Sequence, residues 1–230
     1  MWLLNWKIYK VGRNKLQKFA DNSRSEKVIQ SGKPIYKTIK GNWRKLHFKN
    51  DNPITLEIAC GRGEYTIGLA RLFPAKNFVG IDLKGSRLWA GAKIAEKENL
   101  QNAAFLRTQM HMLEDFFEES EADEIWIIHP DPRPKKRDIR RRLTSPRYLD
   151  MFKRIIRSGG WIHLKTDSPS LFEYSLEILV NRADIRNLIQ TDNLDKSPYL
   201  PDHHGIETRY ELMFRTEGES IKYLKFQFRE

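Results

Sequence analysis

The chain of 230 residues carries 41 Lys and Arg against 30 Asp and Glu, a formal net charge of +11, with 40% hydrophobic and 11% aromatic side chains. That length and apolar content suit a single α/β unit with a full core. One cysteine, Cys60, excludes a disulfide framework, a cysteine-based zinc site and a CxxC redox pair, and Met1-Trp2-Leu3-Leu4-Asn5-Trp6-Lys7 is too short an apolar run for a signal peptide or a membrane span, so a cytoplasmic protein without a membrane partner is expected.

The first element is an arm. Residues 1–49 hold thirteen Lys and Arg against Asp21 and Glu26, so this segment carries the entire +11 and residues 50–230 balance to zero. Its cations are interleaved with Trp2, Trp6, Tyr9, Phe19, Tyr36, Trp43 and Phe48, a mixture that supplies phosphate partners and stacking faces together and favours RNA over a solvated tail. The segment reads as a basic, partly flexible, RNA-binding arm over residues 1–49, ahead of one domain over residues 50–230.

From Pro53 onward, apolar runs alternate with amphipathic stretches, the rhythm of a mostly parallel sheet covered by helices on both faces. Residues 54–59 read as the first strand, 64–73 as a helix stopped before Pro74, and Asn77–Asp82 as the second strand. A helix over 86–98 with Ser86 as N-cap, a third strand at Ala103–Arg107 and a fourth over 124–128 follow. Ser145-Pro146 opens a helix with proline in its first turn, Gly159-Gly160 closes it, and 161–165 is a fifth strand. Ser168-Pro169 opens another helix in the same way. Ile185–Thr191 reads as a sixth strand, 208–217 as a short helix and 221–228 as the closing strand, while 193–205, with two prolines and few core candidates, is expected to be the least structured piece.

Two joints in this pattern carry chemistry. Leu56-Glu57-Ile58-Ala59-Cys60-Gly61-Arg62-Gly63 links the first strand to the first helix, and its glycines let the backbone turn tightly and approach a ligand at the carboxyl edge of the sheet. Asp82, nineteen residues past Gly63, ends the second strand, where a carboxylate can grip the two hydroxyls of a ribose. The NAD fingerprint asks for a third glycine where this chain has Thr66; an acid inside the strand, Glu57, ahead of Gly-x-Gly instead resembles S-adenosylmethionine methyltransferases.

The second joint is His129-Pro130-Asp131-Pro132-Arg133-Pro134-Lys135-Lys136-Arg137, which runs on into Arg140-Arg141-Arg142-Leu143. One carboxylate held between prolines and followed by dense positive charge suggests a reaction centre beside a polyanion track. Residues 135–147 hold seven bases and one acid, and 114–124 hold seven acids, so a local dipole exists inside the neutral domain.

This loop closely resembles the signature of the bacterial tRNA (guanine-N7)-methyltransferases. Leu164-Lys165-Thr166-Asp167, Leu171-Phe172-Glu173-Tyr174 and Glu207-Thr208-Arg209-Tyr210-Glu211 resemble further motifs of that family in the same order, and Leu16-Gln17-Lys18-Phe19-Ala20-Asp21-Asn22 is similar to its basic N-terminal segment. The resemblance spans roughly residues 13–228. It implies a Rossmann-like class I methyltransferase fold with a seven-stranded, mostly parallel sheet, S-adenosylmethionine as cofactor, and methylation of a guanine in the variable loop of tRNA. It further implies Glu57, Gly61, Gly63, Asp82, Gln109 and Asp131 around the cofactor, Asp131 at the reacting centre, and Lys135, Asp167, Thr208 and Glu211 toward the substrate, with no metal and a monomer or homodimer. Four positions depart from the family pattern: Ala59 stands for a glycine, Gln109 for an aspartate, Arg133 for a tryptophan and Asp138 for a histidine.

Plainer roles compete at several positions. Asp131 between prolines can shape a turn. Thr208 and Glu211 have the spacing of a capping box, and Asp167 can serve as a loop or cap residue. His129 reads as a packed strand-end residue, and His203-His204, without cysteine partners, as loop rather than metal site. Rival functions are a non-catalytic RNA-binding protein on the same fold and a methyltransferase acting on another RNA atom.

Overall fold

A computed structural model describes residues 15–216 and 218–229; Trp2, Trp6, Tyr9 and the first cations of the arm lie outside the described residues. Six strands run parallel: β1 (Val28–Ile29), β2 (Ile54–Ile58), β3 (Asn77–Asp82), β4 (Ala103–Arg107), β5 (Ala122–Ile128) and β6 (Ile156–Thr166). β7 (Ile185–Thr191) and β8 (Lys222–Phe228) complete the sheet, β8 lying antiparallel to both β6 and β7. The order is β1-β4-β3-β2-β5-β6-β8-β7.

The order reverses direction between β2 and β5. Outward from β2 the sheet adds β3 and β4, and outward from β5 it adds β6, so the connections leave this pair to opposite sides and open a crevice at its carboxyl ends. The glycine turn follows β2 and the Asp131 loop follows β5, so the two chemical joints flank this crevice.

Strand alternation feeds two cores. Ile125 and Ile127 of β5 join one apolar cluster with Leu149 and Phe152 of α4 (Pro146–Ile155) and Phe172 and Leu179 of α5 (Pro169–Val180). Trp126 and Ile128 join the other, with Tyr65 and Ile67 of α2 (Glu64–Leu72) and Leu88 and Ala92 of α3 (Gly85–Lys97). The α/β architecture expected from the sequence is thus present, with eight strands rather than seven. The additional strand is β1, which pairs through Val28 and Ile29 with Phe105 and Leu106 of β4 and comes from the charged arm.

Three local expectations need correction. The α3 helix starts at Gly85, not at a Ser86 cap, because the Asp82 side chain accepts from the Lys84 N–H and already folds the entry turn. Gly159-Gly160 lies inside β6 instead of closing α4: Gly159 has φ +71°, the pairing with β5 shifts register between Ala122 and Glu124, and a Cβ on Gly160 would meet the Asp123 carbonyl at 2.7 Å. Residues 193–205 form two 3₁₀ turns, Leu194–Lys196 and Leu200–His203, anchored by buried Leu194 and His203.

The arm packs onto the domain where the sequence is most acidic. Trp43 is fully buried, stacks on Phe117 with centroids 5.2 Å apart, and donates its indole N–H to the Phe116 carbonyl at 2.8 Å. Glu121 accepts from the backbone N–H groups of Gly41 and Trp43, and Arg44 pairs with Asp123 at 2.8 Å. Trp43 and Phe48 are core residues and cannot offer stacking faces to a base. Helix α1 (Lys15–Arg24) lies against α3, with the Trp89 indole donating to Asp21 at 2.8 Å and the Asn22 amide to the Gly85 carbonyl at 2.7 Å. No described helix is long and apolar enough to cross a membrane.

Candidate active site

The glycine turn is built from left-handed backbone. Ala59, Gly61 and Gly63 have φ of +58°, +57° and +73°, so the departure from glycine at Ala59 puts a Cβ where the turn still requires that region. Gly63 is required sterically as well, because a Cβ there would lie 2.3 Å from Cε1 of Phe105. A Cβ on Gly61 would meet nothing within 4 Å, so the turn opens outward at that point. Asp82 ties the turn to β3: one carboxylate oxygen accepts the Gly61 N–H at 3.0 Å and the other the Lys84 N–H at 2.7 Å.

Glu57 lies beneath this turn and is 4% exposed. Its Oε2 accepts both the backbone N–H of Thr66, at 2.7 Å, and the Thr66 hydroxyl. Burial pushes its carboxyl up to about 8, against the two Thr66 hydrogen bonds. It braces the first turn of α2, and Thr66, where the NAD fingerprint has glycine, is its partner.

Across the crevice, Asp131 projects from the loop after β5 with a side chain 62% exposed. It accepts the Arg133 backbone N–H at 3.2 Å and pairs with the Arg133 Nε at 3.1 Å, so the arginine that departs from the family pattern folds back over the carboxylate. Lys135 is exposed and caps the 3₁₀ turn Lys136–Arg141 that carries the basic run. Gln109 is exposed beyond the end of β4.

The remaining predicted substrate residues converge on a buried charge cluster. Thr208 caps α6 (Arg209–Thr216), its hydroxyl accepting the Glu211 N–H at 3.1 Å, but Glu211 does not close a capping box. Its carboxylate turns inward to the Lys165 ammonium at 3.0 and 3.2 Å and to the His203 Nε2 at 2.7 Å, with the His129 Nε2 3.6 Å away. Burial pushes the Glu211 carboxyl up, but the facing His129 ring, the hydrogen bond from His203 and the Lys165 charge outweigh it and hold the group below the ordinary carboxylate range. Asp167 is not a helix cap, since Ser168 performs that role for α5; it pairs at 3.1 Å with the His129 Nδ1. Burial disfavours a charged His129, but the Asp167 and Glu211 carboxylates outweigh it and raise its pKa.

Sequence reasoning missed Lys165 and His203 and took His129 for packing alone. The available signal was Lys165, a cation beside Leu164 in a strand that the apolar pattern makes central to the sheet. This cluster is joined to the glycine turn: Glu64, the first residue of α2, accepts the Arg209 N–H at 3.2 Å, and the Tyr65 hydroxyl donates to the His203 carbonyl at 3.1 Å. Residues far apart in sequence thus gather at the carboxyl ends of the central strands, with Asp82 and the glycine turn after β2 and β3, Asp131 and the basic run after β5, and Asp167 after β6, above the buried Lys165–Glu211 pair.

Comparison with known proteins gives the family and the fold. A family described as "Putative methyltransferase" matches residues 51–224. The tRNA (guanine-N(7)-)-methyltransferase of Cytophaga hutchinsonii is 43% identical over 219 residues, covering 95% of this chain and 99% of the relative. The chain belongs to the tRNA (guanine-N(7)-)-methyltransferase family. The relative of the same description from Porphyromonas gingivalis is 45% identical over 199 residues, or 86% of this chain and 78% of that one. Among solved structures, the 16S rRNA methyltransferase KamB shares the fold with a TM-score of 0.61 at 16% identity, covering 83% of this chain and 94% of that one. The resemblance read from the Asp131 loop and its companion motifs is borne out.

Proposed function

We propose that the protein transfers a methyl group from S-adenosylmethionine to N7 of a guanine in tRNA, with Asp131 orienting that guanine; the variable loop, implied by the family resemblance, is the expected location. The observation that carries the reading is the placement of the glycine turn and the Asp131 loop on adjacent parallel strands, β2 and β5, at the switch point of the sheet. The cofactor supplies an electrophilic methyl group on a sulfonium. Gly61 and Gly63 would let the backbone approach it, Asp82 would hold its ribose, Gln109 would lie toward its base, and Glu57 holds the turn from below.

Guanine N7 carries a lone pair and no proton at neutral pH, so this chain needs no general base and contributes chiefly placement. Asp131 accepts hydrogen bonds from the donor edge of the guanine and offsets the positive charge that methylation puts on the ring. Lys135 and the exposed cations behind it hold phosphates, and Asp167, Thr208 and Glu211 shape the wall against which the nucleotide rests. A base stacked within folded tRNA must leave its stack to reach the crevice. With tRNA as the substrate, the cytoplasm is the expected location of the activity.

Asp131→Asn tests the assignment. Turnover with tRNA should fall by about 10²- to 10³-fold, the usual cost of removing one preorganised electrostatic contact, while calorimetry shows cofactor affinity retained. Labelled methyl groups mapped by aniline-induced strand scission should lie at N7 of guanine. Near-normal turnover in Asp131→Asn would end the assignment.

A further inference from the structure

The basic run divides at Arg142. Lys135, Lys136, Arg137, Arg140 and Arg141 are exposed, whereas Arg142 is 7% exposed. Beyond it Leu143, Thr144 and Ser145 are buried, and the Thr144 hydroxyl meets the Ser175 hydroxyl of α5 at 2.7 Å. Arg142 therefore marks the point at which the exposed block is fastened to the core, and its guanidinium faces inward.

That guanidinium has two defined neighbours. It lies over the ring of Tyr174 in α5, 4.4 Å from the centroid, and its Nε and Nη2 both donate to the carbonyl oxygen of Arg133, at 3.3 and 3.2 Å. Arg133 has φ +49°, a conformation a side chain of this size adopts only when its surroundings impose it. The backbone N–H of the same residue donates to Asp131, and its Nε pairs with the same carboxylate. A continuous path thus runs from the α5 helix through the Tyr174 ring, the Arg142 fork and the Arg133 backbone to the Asp131 carboxylate.

We propose that Arg142 is a positioning residue for Asp131, holding the loop after β5 by its double hydrogen bond to the Arg133 carbonyl, and is not one of the phosphate-contacting cations of the run. The proposal rests on the reading of Asp131 given above. Lysine cannot substitute, because one ammonium on a flexible stem supplies neither two rigidly held donors converging on one oxygen nor the flat face that stacks on Tyr174.

The test compares Arg142→Lys and Arg142→Met with Arg140→Gln in the full-length protein, using steady-state kinetics with tRNA and the salt dependence of tRNA binding. Both Arg142 variants should lose about 10- to 100-fold in kcat, the range expected from a misplaced reacting group, with KM for tRNA and the log–log salt slope unchanged. Arg140→Gln should instead flatten that slope by about 0.7–0.9, one phosphate contact. A flattened slope with intact kcat in the Arg142 variants would overturn the proposal. Should these variants fail to fold, Tyr174→Ala decides: it removes the stacking surface and should lower kcat in the same direction by less, and wild-type kcat would overturn the clamp. Turnover surviving Asp131→Asn would mean that the reading of Asp131 fails. An inactive Asp131→Asn beside a normally active Arg142→Met would mean that only the clamp fails.

Discussion

Glu211→Gln should destabilise the protein more than Lys165→Met, although the two substitutions remove the two halves of one ion pair. Both side chains have no exposed surface, and the ammonium lies 3.0 Å from the nearer carboxylate oxygen. In Glu211→Gln the Lys165 ammonium stays buried against a neutral amide, and breaking a buried pair in this way costs about 3–5 kcal/mol. For a chain of this size that lowers Tm by about 6–20 °C. In Lys165→Met the carboxylate keeps the His203 donor at 2.7 Å and the Thr208-capped helix start, and the thioether occupies the space beside Tyr65. The loss should be about 1.5–3 kcal/mol, the contribution of one hydrogen bond to a charged group. Urea unfolding at neutral pH measures both, and the double variant should be more stable than the sum of the single losses by at least about 1 kcal/mol. The pH dependence has a definite sign. Because Glu211 is held below its ordinary pKa in the folded chain, its stabilisation is present above the unfolded carboxylate value and is lost as the pH falls, so the gap between wild type and Glu211→Gln should narrow in acid. Equal single losses that add in the double variant would refute the coupling.

Two further substitutions probe the cofactor turn. Glu57 keeps its proton to about pH 8 when folded, against an ordinary value of 4.5, so between these limits the folded chain binds more protons than the unfolded one and stability falls as pH rises. Glu57→Gln keeps an oxygen for the Thr66 donors and should abolish that slope in urea midpoints taken at acid, neutral and mildly alkaline pH; parallel profiles for the two proteins would contradict a buried, protonated Glu57. At Ala59, with φ +58°, melting temperatures should rank Gly at or above Ala and Val lowest by about 1–3 kcal/mol, because a β-branched side chain is an outlier in left-handed backbone. A valine variant as stable as wild type would exclude that backbone.

The parts of the fold legible in the sequence were those where one residue type does one job. Apolar runs marked β2, β3, β4 and β5, Ser-Pro pairs marked the starts of α4 and α5, and the glycines marked the turn that their positive φ requires. Two buried residues, Val28 and Ile29, are too short a run to show any period, so β1 was hidden among charges. The packing of the arm on the acidic stretch was equally hidden, because Glu121 acts through backbone N–H groups that composition does not reveal. At the site, Asp82, Asp131 and Thr208 were legible because they sit at strand or helix ends, whereas Lys165 and His203 work only through a partner brought from elsewhere in the chain.

The site separates two demands that conflict in a single residue. A carboxylate proposed to receive a nucleobase has to face solvent until the base arrives, and Asp131 has most of its side chain exposed. Exposure alone would leave it free to wander, since a surface ion pair such as that with Arg133 contributes only about 0–1 kcal/mol. Rigidity is therefore supplied from below. His129, two residues before Asp131 and itself at φ +42°, is held between Asp167 and Glu211, and Glu211 is locked to Lys165 on the neighbouring strand. Residues with large burial and strong pairing fix where the strand ends lie, and the group proposed to meet substrate is mounted on them. Substitutions in the buried cluster should consequently reach turnover through stability and loop placement together, whereas substitutions in the exposed run from Lys135 to Arg141 should act on tRNA affinity and its salt dependence.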